Sequence, residues 1–210
     1  MGTAAGDRTL SGLTEVLVST NGAVVTTEYF AGETFTVAQP LLHDPALEGE
    51  ADGGFTMRGD AAKTVALTGA NTYTGDTVVE AGTLEIPLAA RASALPAGSA
   101  VVVAEGATLS MAEGTAARVG GLRVDMAGAG TIAGFAPAAE GTLYVNGVGE
   151  QTRLGLVLPL TVTDTQQKHL LSRWPVVIDG ELDEKVCGRV KPELNKIVLE
   201  AKGGLHLIVR

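Results

Sequence analysis

Three histidines stand at positions 43, 169 and 206, and the single cysteine at 187. A zinc site takes three or four convergent ligands, usually signalled by His or Cys pairs a few residues apart. His43, His169 and His206 have no second ligand at i+2, i+3 or i+4, so the sequence predicts no metal site. A catalytic thiol needs a base within reach, and no histidine lies near Cys187 in sequence. Cys187 is expected to be a half-buried structural residue, and one cysteine allows no intramolecular disulfide. The serine elbow of hydrolases, the zinc-protease helix motif, the phosphate-binding loop and the dinucleotide fingerprint are missing. Gly2, Gly6, Gly128 and Gly130 read as turn glycines with no following helix to hold phosphate. The sequence therefore assigns no catalytic, cofactor-binding or metal-ligating residue, and no cofactor is expected.

Carboxylates are the more abundant chemistry. Asp44, Glu48, Glu50 and Asp52 cluster in residues 40–54, a stretch broken by two prolines and Gly53-Gly54. Oxygen-rich loops hold calcium, but these acids lack the spacing of the known calcium loop, so a solvated acidic loop is expected, with one short helical turn after Pro45. Arg58-Gly59-Asp60 spells the integrin tripeptide, yet Gly59 reads as a turn glycine before a strand, and the match is taken as chance. A glycosidase pair among so many acids would need a set separation that sequence spacing does not establish. The net charge of -9 and pI near 4.8 argue against nucleic acid, whose phosphates need a basic footprint. No apolar run approaches the roughly 18 residues of a membrane helix. Met1 to Gly6 lacks the basic and apolar regions of a signal peptide, so an export signal, if any, is expected upstream.

The elements that would position these groups are strands. In Leu67-Thr68-Gly69-Ala70-Asn71-Thr72-Tyr73-Thr74-Gly75-Asp76-Thr77-Val78-Val79-Glu80-Ala81-Gly82-Thr83-Leu84-Glu85-Ile86, short β-branched runs alternate with Gly and Asn. Val65 and Leu67, Thr77 and Val79, and Leu84 and Ile86 are spaced by two, which places each pair on one face of a strand. Gly69, Asn71, Gly75 and Gly82 fall between the pairs, where turns need small residues or positive φ. Similar strands are predicted at 7–10, 34–37, 100–111, 120–124, 130–132, 141–145, 152–162 and 174–180. Asn21-Gly22 joins two β-rich runs either as a hairpin or as a corner between rungs of a β-helix. Leu88 to Ser99 suits a helical turn or an extended loop, and 165–174 a short helix or loop. Lysine is sparse before Trp174 and common after it, and 196–210 reads as a terminal hairpin with His206 pointing outward.

Strand-turn units every 8 to 13 residues, with 28 Gly and few aromatics, fit a sandwich or a solenoid, and stacked rungs would bury inward pairs with little helix. The stretch 67–86, followed by "LPAGSAVVVAEGATLSM" and "VGGLRV", resembles the autotransporter-associated β-strand repeat of Gram-negative surface proteins over roughly residues 53–147. The resemblance implies an all-β fold, a right-handed parallel β-helix displayed at the cell surface or outside the cell. The expected organisation is β-helix rungs over 1–150 and a strand-rich C-terminal cap over 151–210. The expected role is a non-catalytic structural or display segment of an exported protein. One alternative is an adhesin module contacting glycans or host surface proteins through loops such as 40–54; another is a polysaccharide lyase or hydrolase on the same scaffold. The central strands place mostly Thr, Ala, Ser and Gly outward, which disfavours the enzyme. The strands of a terminal outer-membrane barrel are absent, and residues 150–210 are too few to form one.

Overall fold

The structure is a computed structural model that describes residues 8–29 and 32–203. Strands are numbered in chain order. β1 (Arg8–Leu10), β2 (Leu17–Val18) and β3 (Ala23–Thr26) make a first circuit, and β4 (Thr34–Val37), β5 (Leu42–His43) and β6 (Phe55–Arg58) a second. Five two-strand circuits follow. They are β7 (Thr64–Leu67) with β8 (Thr77–Val79), β9 (Thr83–Ile86) with β10 (Val101–Val103), and β11 (Thr108–Met111) with β12 (Val119–Asp125). Then come β13 (Thr131–Ala133) with β14 (Pro137–Asn146), and β15 (Val157–Thr163) with β16 (Val176–Ile178).

The first strand of every circuit joins one sheet, in the order β1-β4-β7-β9-β11-β13-β15, and the last strand joins another, β3-β6-β8-β10-β12-β14-β16. Neighbours within both runs are parallel. β2 and β5 form a small third sheet. Antiparallel pairing begins only after β16: β17 (Glu181–Asp183) folds back on β16, and β19 (Lys196–Ala201) lies on β15 with β18 (Val186–Lys191) beside it.

The period-two pairs face the core. In the first sheet Val65, Leu84, Leu109, Ile132 and Val162 stand in one register row, and all are buried. In the second, Phe55, Thr77, Val101, Leu122, Leu143 and Val176 make a matching buried row. Each such aliphatic side chain stabilises the fold by about 1.5–3 kcal/mol relative to exposure. The register also fixes what faces outward. Thr34, Thr64, Thr83, Thr108, Thr131 and Thr161 form one half-exposed row across six strands, where β-branched residues suit a pleated surface.

Several expectations are resolved or changed. Asn21-Gly22 is a corner, because β2 and β3 belong to different sheets. The 40–54 stretch holds the expected turn, a 3-10 helix at Pro45–Leu47, and also the short strand β5. Residues 88–99 contain turns and no helix, while 168–173 is a 3-10 helix. The terminal hairpin is displaced: 196–201 is its second arm, the first arm is 186–191, and the chain reverses through Glu193 to Asn195. The sequence reading missed the first arm because Cys187, Gly188 and Arg189 interrupt its β-branched pattern. Cys187 is fully buried rather than half-buried. Pro159 sits at a register irregularity between β15 and β19, the bulge that its missing N–H favours. Asp7, His206 and the rest of 204–210 lie outside the described residues.

Candidate functional site

A set of side-chain contacts between circuits surrounds the corner between β7 and β8, residues 68–76. Asn71 is buried there, and its side chain reaches both neighbouring circuits. Its Oδ1 accepts from the Leu41 N–H at 3.0 Å, and its Nδ2 donates to the Ala94 carbonyl at 2.8 Å. Two backbone groups that the corner would otherwise strand in the interior are satisfied by one amide. Thr77 is the polar member of an apolar inward row, and its hydroxyl is bonded on both sides. Tyr73 Oη lies 2.8 Å away within the circuit and Ser99 Oγ 2.9 Å away in the next. The Tyr73 ring stacks on Phe55 of the preceding circuit at 6.5 Å between centroids. Burial holds the phenol well above its ordinary pKa, so it stays a neutral hydroxyl.

The glycines of this stretch serve two different ends. Gly82 adopts φ +74°, a left-handed turn that a side chain would strain. Gly75 has no such φ, but a Cβ there would meet the Asp52 carbonyl and the Gly54 nitrogen, both at 2.4 Å. Sequence spacing marked both as turn glycines; only the stacking shows that Gly75 is small because another backbone lies against it.

The acidic loop does not present its four carboxylates together. Asp44 accepts from the Ala46 N–H and starts the 3-10 helix, while Glu48 and Glu50 point into solvent. Asp52 turns inward and is 5% exposed. Its carboxylate accepts from the N–H groups of Gly54, Thr74 and Gly75 at 2.9–3.1 Å, and lies 2.8 Å from His43 Nδ1. Burial alone would raise its pKa; the Gly75 N–H, His43 and the other amides outweigh that and hold it below the ordinary carboxylate value. The set His43, Asp52 and Thr74 contains the residue types of a hydrolytic triad without its geometry. The Thr74 hydroxyl approaches His43 at Nδ1, 3.4 Å away, the same nitrogen that faces Asp52. A base relay needs the hydroxyl at one ring nitrogen and the acid at the other. The arrangement is a latch joining loop 44–54 to the corner of the next circuit.

On the outer face of the second sheet, Arg123 pairs with Asp76 at 3.0 Å and covers the Tyr144 ring at 4.5 Å. This recess of about 330 Å³ also borders Glu140. The guanidinium engages both Asp76 and the aromatic face. Asp60 of the Arg-Gly-Asp tripeptide caps its own turn by accepting from the Ala62 N–H. Among the described residues no group of three or more His, Cys, Asp or Glu converges as a metal site would. No helix among them is long and apolar enough to cross a membrane.

The stretch that carries these contacts matches a known family. The family model of the Passenger-associated-transport-repeat matches residues 62–86, from the turn before β7 to the end of β9, so this part of the chain is similar to the repeat of autotransporter passengers. That family is a structural passenger repeat and implies an exported surface protein. No curated protein and no solved structure matches the chain.

Proposed function

We propose that this chain, with a passenger-associated-transport repeat at its centre, is a non-catalytic display segment of an exported surface protein. Its parallel circuits wind as a right-handed β-helix from β1 to β16, and antiparallel β17, β18 and β19 close one end. Such a closure meets a physical need, since the last parallel strands would otherwise leave their backbone groups unpaired. The observation that carries the reading is the coincidence of repeat and glue. Asn71, Tyr73, Gly75 and Thr77 all lie inside the matched stretch, and each contacts the circuit before it, the circuit after it, or both. A segment whose recognisable residues are spent on holding circuits together is suited to extending and presenting other parts of a protein.

The test is surface display. A folded reporter is joined ahead of residues 1–210 in an outer-membrane secretion system, and surface reporter is counted by flow cytometry. Deletion of 62–86, which removes β7, β8 and β9, is expected to abolish display or expose the reporter to periplasmic proteolysis. Unchanged display after that deletion would sink the proposal.

A further inference from the structure

Internal contacts take up only part of the positive charge concentrated after residue 164, as where Lys196 bonds the Thr161 hydroxyl. Residues 1–164 carry seven Lys and Arg against eighteen Asp and Glu, whereas 165–210 carry eight against six. The fold gathers part of that positive charge into one recess of about 380 Å³ between the 3-10 helix at 168–173 and the β18–β19 hairpin. Lys168, His169, Arg189 and Lys191 line it, together with Glu193 and Glu200. Glu200 takes both Arg189, at 3.0 Å, and Lys191, so one carboxylate is shared by two cations. Lys168 and His169 have no ion pair among the described residues and are exposed.

This recess is one end of a longer groove. Lys168, Val190 and Pro192 also line a smaller hollow of about 200 Å³, which adds Thr165 and Asn195. Asp164 and Thr165 line that hollow and a third of about 570 Å³, which reaches Ser110 and Ala133 on the outer face of the first sheet. The three adjoin through shared walls, cationic at one end and rich in hydroxyl, amide and carboxylate groups, with Glu113 and Asp164, at the other.

We infer that this groove binds an acidic glycan, with a sulfate or carboxylate substituent at Lys168 and His169 and neutral sugar units along Thr165, Asn195 and Ser110. The lining decides among anionic polymers. Single-stranded nucleic acid needs a row of aromatic platforms for its bases, and the three hollows contain no Phe, Tyr or Trp and only one imidazole, His169. Its evenly repeated phosphates would also run onto Glu113 and Asp164. A peptide partner would need a deep apolar anchor pocket, and the large apolar walls, Met111, Val162, Val190 and Pro192, are spread over the three hollows. One charged group set among neutral hydroxyls fits a groove that is cationic at one end only and offers hydroxyl, amide and carboxylate acceptors along the rest. The site is separate from the corner that holds the circuits together, so it adds binding to the display role and stands or falls independently of it.

The experiment is affinity electrophoresis of the whole chain in gels holding keratan sulfate or hyaluronan, in which one anionic group per disaccharide alternates with a neutral sugar, or dextran, with flotation on phosphatidylglycerol vesicles as the lipid arm. Retardation is expected with keratan sulfate or hyaluronan and not with dextran. Lys168→Glu and His169→Ala are expected to weaken it about tenfold each, the loss of one charge-assisted contact. Lys202→Glu, an equal charge change at an exposed lysine outside the groove, is expected to leave it unchanged, as is the circular dichroism of all three variants. Ala133→Trp, which fills the end at Ser110, is expected to weaken polymer binding. Equal weakening by Lys202→Glu would reduce the effect to general charge attraction. That result, flotation in preference to polymer binding, or retardation by no polymer would each overturn the inference.

Discussion

Asn71 offers the sharpest test of how the circuits are held. Asn71→Ala removes the partner of the Leu41 N–H and of the Ala94 carbonyl at once, with the side chain's site 1% exposed and closed to solvent. A buried backbone group left unsatisfied costs about 1–3 kcal/mol, so the two together predict a loss of roughly 2–6 kcal/mol. Urea or guanidinium unfolding reads it as a fall in midpoint at unchanged slope. Asn71→Asp isolates one contact. It keeps an acceptor for Leu41 but, when ionised, faces the Ala94 carbonyl with a second oxygen; protonated, it supplies a donor again. Burial and that repulsion raise the folded-state pKa of the new carboxyl above its unfolded value near ~3.9. Its stability relative to Asn71→Ala is therefore greatest below about pH 4 and is lost as pH rises through the folded value. A loss under about 1 kcal/mol for Asn71→Ala, below the range set by those two groups, would refute the bridging role. So would an Asn71→Asp profile flat against Asn71→Ala.

Other consequences follow from the same geometry. The lowered pKa of Asp52 means that its latch contributes stability above the ordinary carboxylate pKa, and that this contribution is lost as pH falls through the folded value. Asp52→Asn is expected to lower the unfolding midpoint at pH 7 and to flatten its fall between pH 5 and 2 in a denaturant series. Gly75→Ala forces a methyl against backbone on both sides and is expected to cost more than about 3 kcal/mol or prevent folding. Gly106→Ala, with φ +79° and open space around it, is expected to cost only about 1–2 kcal/mol, while Gly98→Ala, with neither constraint, is expected to be neutral or slightly stabilising. Thermal melts of the three rank them. The single tryptophan is buried with its Nε1 3.0 Å from the Ala138 carbonyl, and Gly141 lies against its ring. Gly141→Ala is expected to shift the tryptophan emission to the red and to lower stability near the C-terminal strands first.

What was legible in the sequence is what local chemistry dictates. Alternation with period two decides which side of a strand is apolar, so Val65, Leu67, Leu84 and Ile86 were placed in the core before any partner was known. Gly and Asn between such pairs mark corners for the same local reason, and the repeat resemblance at 67–86 was readable because that stretch combines both signals without interruption. Partners could not be read, since they lie about 20 to 30 positions away and depend on the stacking register. Asn71 looked like a turn residue and is a bridge between Leu41 and Ala94. Asp52 looked like one of four solvated acids and is the buried one, because Thr74 and Gly75 of the next circuit aim their N–H groups at it. Asn21-Gly22 fits a hairpin or a corner equally well until β2 and β3 are assigned to different sheets. The cationic recess is the extreme case. Lys168 and His169 reach Arg189 and Lys191 only because the 3-10 helix packs on β18, a proximity made by tertiary contact across some twenty residues and carried by no local pattern.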